Sequence, residues 1–184
     1  MWTSTNMRYA ILRALGIIAI AAPALAAQPP RLRVKFPAFP VEIALDTLVF
    51  ARERIDAPAG ETFAAVRAVY TDLKIPRDVA DSTNLQMGAF RFTRSYTLGN
   101  ERLSVYFNCG SGLTGANADS WRVTIAIASY VQRSADGKTT LGTGVVAQAQ
   151  DMGGVSKEPV TCGSTGLLES RIVDLVKRRL APGS

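Results

Sequence analysis

The sequence predicts an α+β fold, in which a five-stranded, largely antiparallel sheet carries two helices on one face in the order β-α-β-β-β-β-α. Apolar side chains alternate with polar ones over four segments in the middle of the chain. They recur at helical spacing in one segment before these strands and in one after them. The 184 residues, 47% of them hydrophobic, suffice for one globular domain.

The first strand is predicted at residues 47–55, and a helix follows it. Pro58 suits the first turn of this helix, and Glu61 places an acidic side chain near its positive end. One apolar stripe runs along the helix through Phe63, Val66, Tyr70 and Leu73. Pro76 ends the helix, because proline lacks the backbone N–H that a helix needs.

The alternating segments predict four further strands, at residues 87–97, 101–109, 121–132 and 139–149. Asp136 and Gly137 form a short hairpin signal between the last two. Each of the later strands has one apolar and one mixed face, which is typical of an antiparallel sheet covered on one side. A second amphipathic helix at residues 166–180 completes a single domain at residues 44–181.

Residues 1–26 have the features of an export signal. Arg8 and Arg13 precede an apolar core at residues 15–22, and Ala24-Leu25-Ala26 supplies the small residues that a signal peptidase requires. The apolar stretch is too short for a membrane-spanning helix, which needs about 20 residues. We therefore expect cleavage and an exported chain, periplasmic or secreted, with no transmembrane span afterwards.

Residues 27–43 are predicted as an extended linker. Proline disfavours both helices and central strands, and this stretch contains four: Pro29, Pro30, Pro37 and Pro40.

The two cysteines, Cys109 and Cys162, both follow the predicted signal. An even number of cysteines in an oxidising compartment favours one disulfide. The alternative is a catalytic or redox thiol, but the chain has no histidine to act as its base and no Cys-x-x-Cys motif. We predict a structural disulfide that joins the end of the third strand to the start of the last helix.

The absence of histidine excludes Ser-His-Asp triads, Cys-His pairs and zinc sites that use histidine. Gly110, Gly112 and Gly115 match the G-x-G-x-x-G motif of dinucleotide-binding loops. Such a site needs a helix directly after the glycines, whereas a strand is predicted there. The polar residues between positions 78 and 84 lack the spacing of a calcium loop. The sequence thus predicts no cofactor, no metal site and no enzyme.

The mixed face of the sheet is the candidate partner-binding surface. Arginine and tyrosine are enriched in binding hot spots, and this face is predicted to expose Arg91, Arg102, Tyr106, Arg122 and Tyr130. The alternative is an ordinary solvated sheet face. The basic run at residues 177–179 suits the end of a helix, and nucleic acid is not an expected partner.

The order of elements resembles the helix-grip modules of periplasmic envelope proteins, such as the BamC-like outer-membrane assembly lipoproteins. The segments that carry the resemblance are residues 58–63, the apolar stripe with Pro76, and residues 162–169. Residues 58–63 and 162–169 are also similar to a group of small exported bacterial proteins. The resemblance implies a fold and brings no catalytic residue. The chain also lacks the anchoring cysteine of that lipoprotein near the cleavage site.

Three functional hypotheses follow. The first is a non-enzymatic, exported binding module whose partner is an envelope protein or an acidic envelope component. The second is a carrier for a small ligand or lipid, with a cavity between the helices and the sheet. The third is a hydrolase that uses a serine or carboxylates, although no catalytic arrangement is recognisable among Glu53, Asp56 and Glu61.

Overall fold

A computed structural model describes residues 31–49, 52–113, 115–134, 136–154 and 157–181. The predicted signal peptide at residues 1–26 lies outside the described residues, as do the first four residues of the predicted linker.

The described residues form three helices, two 3-10 turns and thirteen strands, several of them only two residues long. The helices are α1 (Ala59–Asp72), α2 (Leu103–Tyr106) and α3 (Leu167–Leu180), and the 3-10 turns are Leu45–Leu48 and Asn117–Asp119. The strands are β1 (Arg33–Val34), β2 (Ile43–Ala44), β3 (Arg52–Ile55), β4 (Val79–Asp81), β5 (Gln86–Arg94), β6 (Thr97–Leu98), β7 (Glu101–Arg102), β8 (Phe107–Asn108), β9 (Ser111–Gly112), β10 (Gly115–Ala116), β11 (Arg122–Arg133), β12 (Thr139–Gln150) and β13 (Val160–Ser164).

Seven strands form one antiparallel sheet in the order β4-β5-β11-β12-β13-β8, and β3 pairs with β12 on the same side as β13. The fold of the described residues is α+β, as predicted. The prediction of five strands and two helices in the order β-α-β-β-β-β-α is wrong, since the main sheet has seven strands and the described chain has three helices.

The predicted strand at residues 101–109 is interrupted by α2. Leu103 and Tyr106 lie one helical turn apart and are both buried, whereas Val105 is only partly buried. The Leu103 N–H donates to the Tyr96 carbonyl at 2.9 Å, and the Ser104 N–H donates to the Asp119 carboxylate at 2.8 Å. Both acceptors lie in other segments of the chain. The alternating pattern of residues 101–109 therefore cannot predict the helical turn that they stabilise.

One face of the sheet carries α1 and α3. Buried apolar side chains from both helices and from β5, β11 and β12 fill the space between them. The helices contribute, among others, Phe63, Val66, Val69, Ile172 and Val176. A buried chain of hydroxyl groups crosses this core. The Tyr70 hydroxyl lies 3.1 Å from Ser129 Oγ, which lies 2.9 Å from Thr143 Oγ1.

The opposite face is covered by residues 31–49, which we call the N-terminal strap. Four side chains of the strap are buried: Leu32, Val34, Phe36 and Leu45. They pack against the sheet residues Ala126, Ala128, Tyr130 and Val146. The described part of the predicted linker, residues 31–43, belongs to this layer. Both faces of the central strands are therefore covered.

The strap lies directly on the backbone of β12 because two glycines there have no side chains. A Cβ added at Gly144 would lie 2.1 Å from the Leu45 carbonyl oxygen, and one added at Gly142 would lie 2.5 Å from Val49 Cγ1. A glycine inside a strand often marks such a close approach. Polar contacts hold the strap in place, since the Ala38 N–H donates to Gln148 Oε1 at 3.0 Å and the Arg91 guanidinium donates to the Lys35 carbonyl.

Replacing Gly144→Ala is expected to destabilise the protein by about 1–3 kcal/mol, because the added methyl displaces the strap from β12. The matched control is Gly60→Ala, since Gly60 lies in α1 with no atom within 4 Å of an added Cβ. The free energy of unfolding of this control is expected to rise by about 0.5–1 kcal/mol, because alanine favours the helix more than glycine does. Urea unfolding measures both values. Equal stability of Gly144→Ala and wild type would contradict the close packing of the strap.

Stability is expected to fall above pH of about 10, the ordinary pKa of tyrosine. Burial raises the pKa of Tyr70 and of Tyr130, outweighing the opposing hydrogen bond from Ser129 at Tyr70. The folded state thus keeps phenolic protons that the unfolded state releases, so each stabilising contribution is intact below pH of about 10 and is lost above it.

The variant Tyr70→Phe is expected to lose about 1 kcal/mol at neutral pH and to show a shallower fall at alkaline pH. Unfolding free energies measured from pH 8 to 11 test this. The control Tyr96→Phe removes an exposed hydroxyl and is expected to follow the wild-type curve. A Tyr70→Phe curve parallel to that of wild type is incompatible with a buried neutral phenol at this position.

Candidate binding groove

The five residues of the predicted partner-binding surface do not share one exposed face. Tyr130 is 6% exposed and lies in the core beneath the strap. Tyr106 is 1% exposed and lies in the core beneath the helices, where its hydroxyl accepts a hydrogen bond from the Arg171 guanidinium. The prediction placed both rings on a solvated mixed face, but the strap covers that face and α2 turns Tyr106 inward.

The three arginines of the predicted surface are exposed in separate places. Arg91 has a φ of 51° and lies where the pairing of β5 with β11 shifts register, and it binds the strap. Arg122 lies at the start of β11. The Arg102 side chain is 79% exposed and lines a half-open cavity at the surface.

That cavity, which we call the loop-end groove, has a volume of about 450 Å³. Three segments form it: the turn that leads into β6, the end of β7 just before α2, and the stretch from β10 through the 3-10 turn to the residue after it. Its lining residues are Tyr96, Thr97, Arg102, Gly115, Ala116, Asp119 and Ser120. Pockets that bind small ligands have volumes in this range.

Tyr96 is held over the groove by its backbone. Its φ is 69°, and the Thr97 N–H donates to the Ser95 carbonyl at 2.8 Å, which together describe a γ-turn with positive φ. This conformation is strained for a bulky residue and persists only where the surroundings enforce it. Here the Leu103 N–H fixes the Tyr96 carbonyl, while the side chain remains 66% exposed.

Asp119 joins two walls of the groove. Its carboxylate accepts hydrogen bonds from the Ser104 N–H at 2.8 Å and the Ser104 hydroxyl at 2.7 Å, and it lies 3.8 Å from Arg102 Nη1. Both oxygens are thus engaged, one of them in orienting a cation. Asp119 therefore holds the start of α2 in place through Ser104 and lies beside the Arg102 guanidinium.

The hairpin of β9 and β10 is anchored to the sheet at its base. The Asn117 N–H donates to the Gly110 carbonyl at 3.0 Å, and its side-chain amide donates to the Cys109 carbonyl at 3.1 Å. Cys109 in turn forms a disulfide with Cys162 of β13, which confirms the predicted pairing. At the tip of this hairpin, Leu113 is fully exposed.

Sequence reasoning found Arg102 and missed the other groove residues. The alternating pattern places Tyr96 and Thr97 at the end of a regular strand, and a tyrosine in a γ-turn leaves no sequence signal. The polar residues Asn117, Asp119 and Ser120 between two predicted strands were the available signal for a structured, polar loop.

No protein-family model matches the chain, and a comparison with curated proteins gives no match either. Among the described residues, no helix has both the length and the apolar character required to cross a membrane. In the same part of the chain, no three His, Cys, Asp or Glu side chains gather as a metal site. The disulfide is compatible with an oxidising location.

Removing the disulfide with Cys109→Ala and Cys162→Ala is expected to destabilise the protein by about 4 kcal/mol, since the bond closes a long loop. The two cysteines are 53 residues apart. Amide hydrogen exchange is expected to rise most in β8 and in the hairpin that bears Leu113. The control is wild type under the same oxidising conditions, and exchange that rises equally in α1 would count against a local anchoring role.

Proposed function

We propose that the chain is an exported, disulfide-stabilised binding module of the cell envelope, without an enzymatic role, and that its partner docks at the loop-end groove. The observation that carries the proposal is Tyr96, an exposed aromatic residue held in a strained turn at the edge of a polar cavity. Strain and exposure both cost free energy in the isolated protein, and such costs concentrate at functional sites.

Export is supported by two features that are independent of each other. The N-terminal residues have the charge, the apolar core and the small residues of a signal peptide. The only two cysteines of the chain are joined in a disulfide, a bond typical of oxidising compartments. Together they support an envelope or secreted location.

The side chains around the groove favour an acidic partner. Arg102 presents a mostly exposed guanidinium, and removal of Arg8 and Arg13 with the signal lowers the formal net charge only from +6 to +4, so the exported chain stays basic. Tyrosine and arginine dominate binding hot spots because they combine contact area with directed hydrogen bonds. Leu113 adds an exposed apolar side chain on the hairpin that forms one wall.

The packing beneath the helices favours the groove over a lipid-carrying cavity. Phe63, Val66 and Tyr70 of α1 are buried against the sheet, as are Leu168 and Ile172 of α3. A lipid bound there would have to displace these side chains, at the cost of burial worth about 1.5–3 kcal/mol for each.

A photo-activatable phenylalanine at position 96 is expected to cross-link the partner in envelope fractions of the natural host. The same group at Gln132, exposed at the far end of β11, is the matched negative control. Arg102→Ala is expected to reduce the yield of the same adduct about tenfold, because hot-spot truncations cost at least about 1–2 kcal/mol.

Arg133→Ala removes an exposed arginine roughly 35 Å along β11 from Arg122, at about 3.3 Å per residue, and is expected to leave the yield unchanged. A yield that Arg102→Ala and Arg133→Ala lower equally would argue for unspecific charge attraction. An adduct obtained equally from positions 96 and 132 would refute docking at the groove.

A further inference from the structure

We infer that the loop-end groove binds an acidic saccharide, with one sugar ring against Tyr96 and an acidic group on Arg102. This inference rests on the proposed function and adds the chemistry of the ligand. Three properties of the groove carry it: the balance of donors and acceptors in its lining, an aromatic ring on a fixed backbone, and the exposed guanidinium.

The lining of the groove combines polar and apolar surface and offers both donors and acceptors. Five of the seven lining residues carry polar side-chain groups: the phenol of Tyr96, the hydroxyls of Thr97 and Ser120, the guanidinium of Arg102 and the carboxylate of Asp119. A lipid or other apolar ligand would desolvate these groups without replacing their hydrogen bonds, which is costly. A ligand dense in hydroxyl groups replaces them.

Tyr96 supplies a surface for the C–H face of a sugar ring. Aromatic rings combine a large contact area with few rotatable bonds, so they lose little entropy on binding. The γ-turn and the hydrogen bond from Leu103 fix the backbone of Tyr96 before any ligand arrives. Such preorganisation lowers the entropic cost of binding.

Arg102 selects for an acidic group on the saccharide. A guanidinium forms paired hydrogen bonds with a carboxylate or a phosphate in a fixed planar geometry. Asp119 lies 3.8 Å from Arg102 Nη1, close enough to orient the side chain, and both of its oxygens accept hydrogen bonds from Ser104. The Arg102 side chain remains 79% exposed and accessible to a ligand.

The opposite wall leaves space for a ring. Gly115 has a φ of 108°, and a Cβ added there would meet no atom within 4 Å. Ala116 beside it carries only a methyl group.

The test is an NMR titration of the oxidised, signal-free protein with digalacturonic acid, a disaccharide that contains N-acetylmuramic acid, the neutral methyl ester of digalacturonic acid, and a hexaglutamate peptide. We expect at least one acidic disaccharide to shift the amide signals of residues 96–97, 102 and 115–120 at up to millimolar concentration. The methyl ester is expected to bind at least about tenfold more weakly, because it lacks the charge that Arg102 recognises.

Variants separate the two contacts. Tyr96→Ala is expected to abolish the shifts and Tyr96→Phe to retain them, since the ring rather than the hydroxyl carries the stacking. Arg102→Gln is expected to weaken binding of the acidic disaccharide to the level of the methyl ester, and Arg133→Gln to leave it unchanged. Wild-type amide dispersion outside the groove establishes that each variant is folded.

The absence of groove shifts with both acidic disaccharides overturns the inference, as do shifts that persist in Tyr96→Ala. Groove shifts with hexaglutamate alone overturn it in favour of an acidic peptide ligand. In both cases the cross-linking at position 96 still stands if it depends on Arg102, so failure of the saccharide inference is distinguishable from failure of the proposed function.

Discussion

The architecture depends on the contact between the N-terminal strap and β12. Gly142 and Gly144 leave the backbone of β12 bare, and Leu45 and Val49 occupy the space where side chains would stand. This contact converts a sheet with one solvated face into a sheet buried on both. With both faces covered, functional side chains are presented by the exposed loops at the ends of the strands. The loop-end groove lies at one such end.

The long strands and the last helix could be predicted from the sequence, because the spacing of their own apolar residues defines them. The predicted strands at 121–132 and 139–149 and the helix at 166–180 agree with β11, β12 and α3 to within about two residues. The strap could not be recognised in the same way. Its apolar residues alternate regularly, but the neighbouring prolines indicated a linker, and its partner strand lies far away in sequence.

The groove was beyond sequence reasoning because each of its parts depends on another segment. Tyr96 owes its turn to a hydrogen bond from Leu103, and Arg102 is oriented by Asp119 from a different loop. The pairing of Cys109 with Cys162 could be predicted, by contrast, because the chain has only two cysteines and both follow the predicted signal peptide. The alternation that placed Tyr106 and Tyr130 on one face failed because it carries no information about what covers each face.

The position of the strap in the chain has a consequence for the order of folding. Ala38 binds Gln148, which lies 110 residues further along the chain. The apolar residues of the strap contact one another, as Phe36 and Phe39 do, but they have no partner in the sheet until β11 and β12 have paired. Contacts of such long sequence separation form slowly. A chain that emerges N-terminus first keeps this segment without its sheet partners until β12 has been synthesised. The first described segment of the protein is thus among the last to reach its native position.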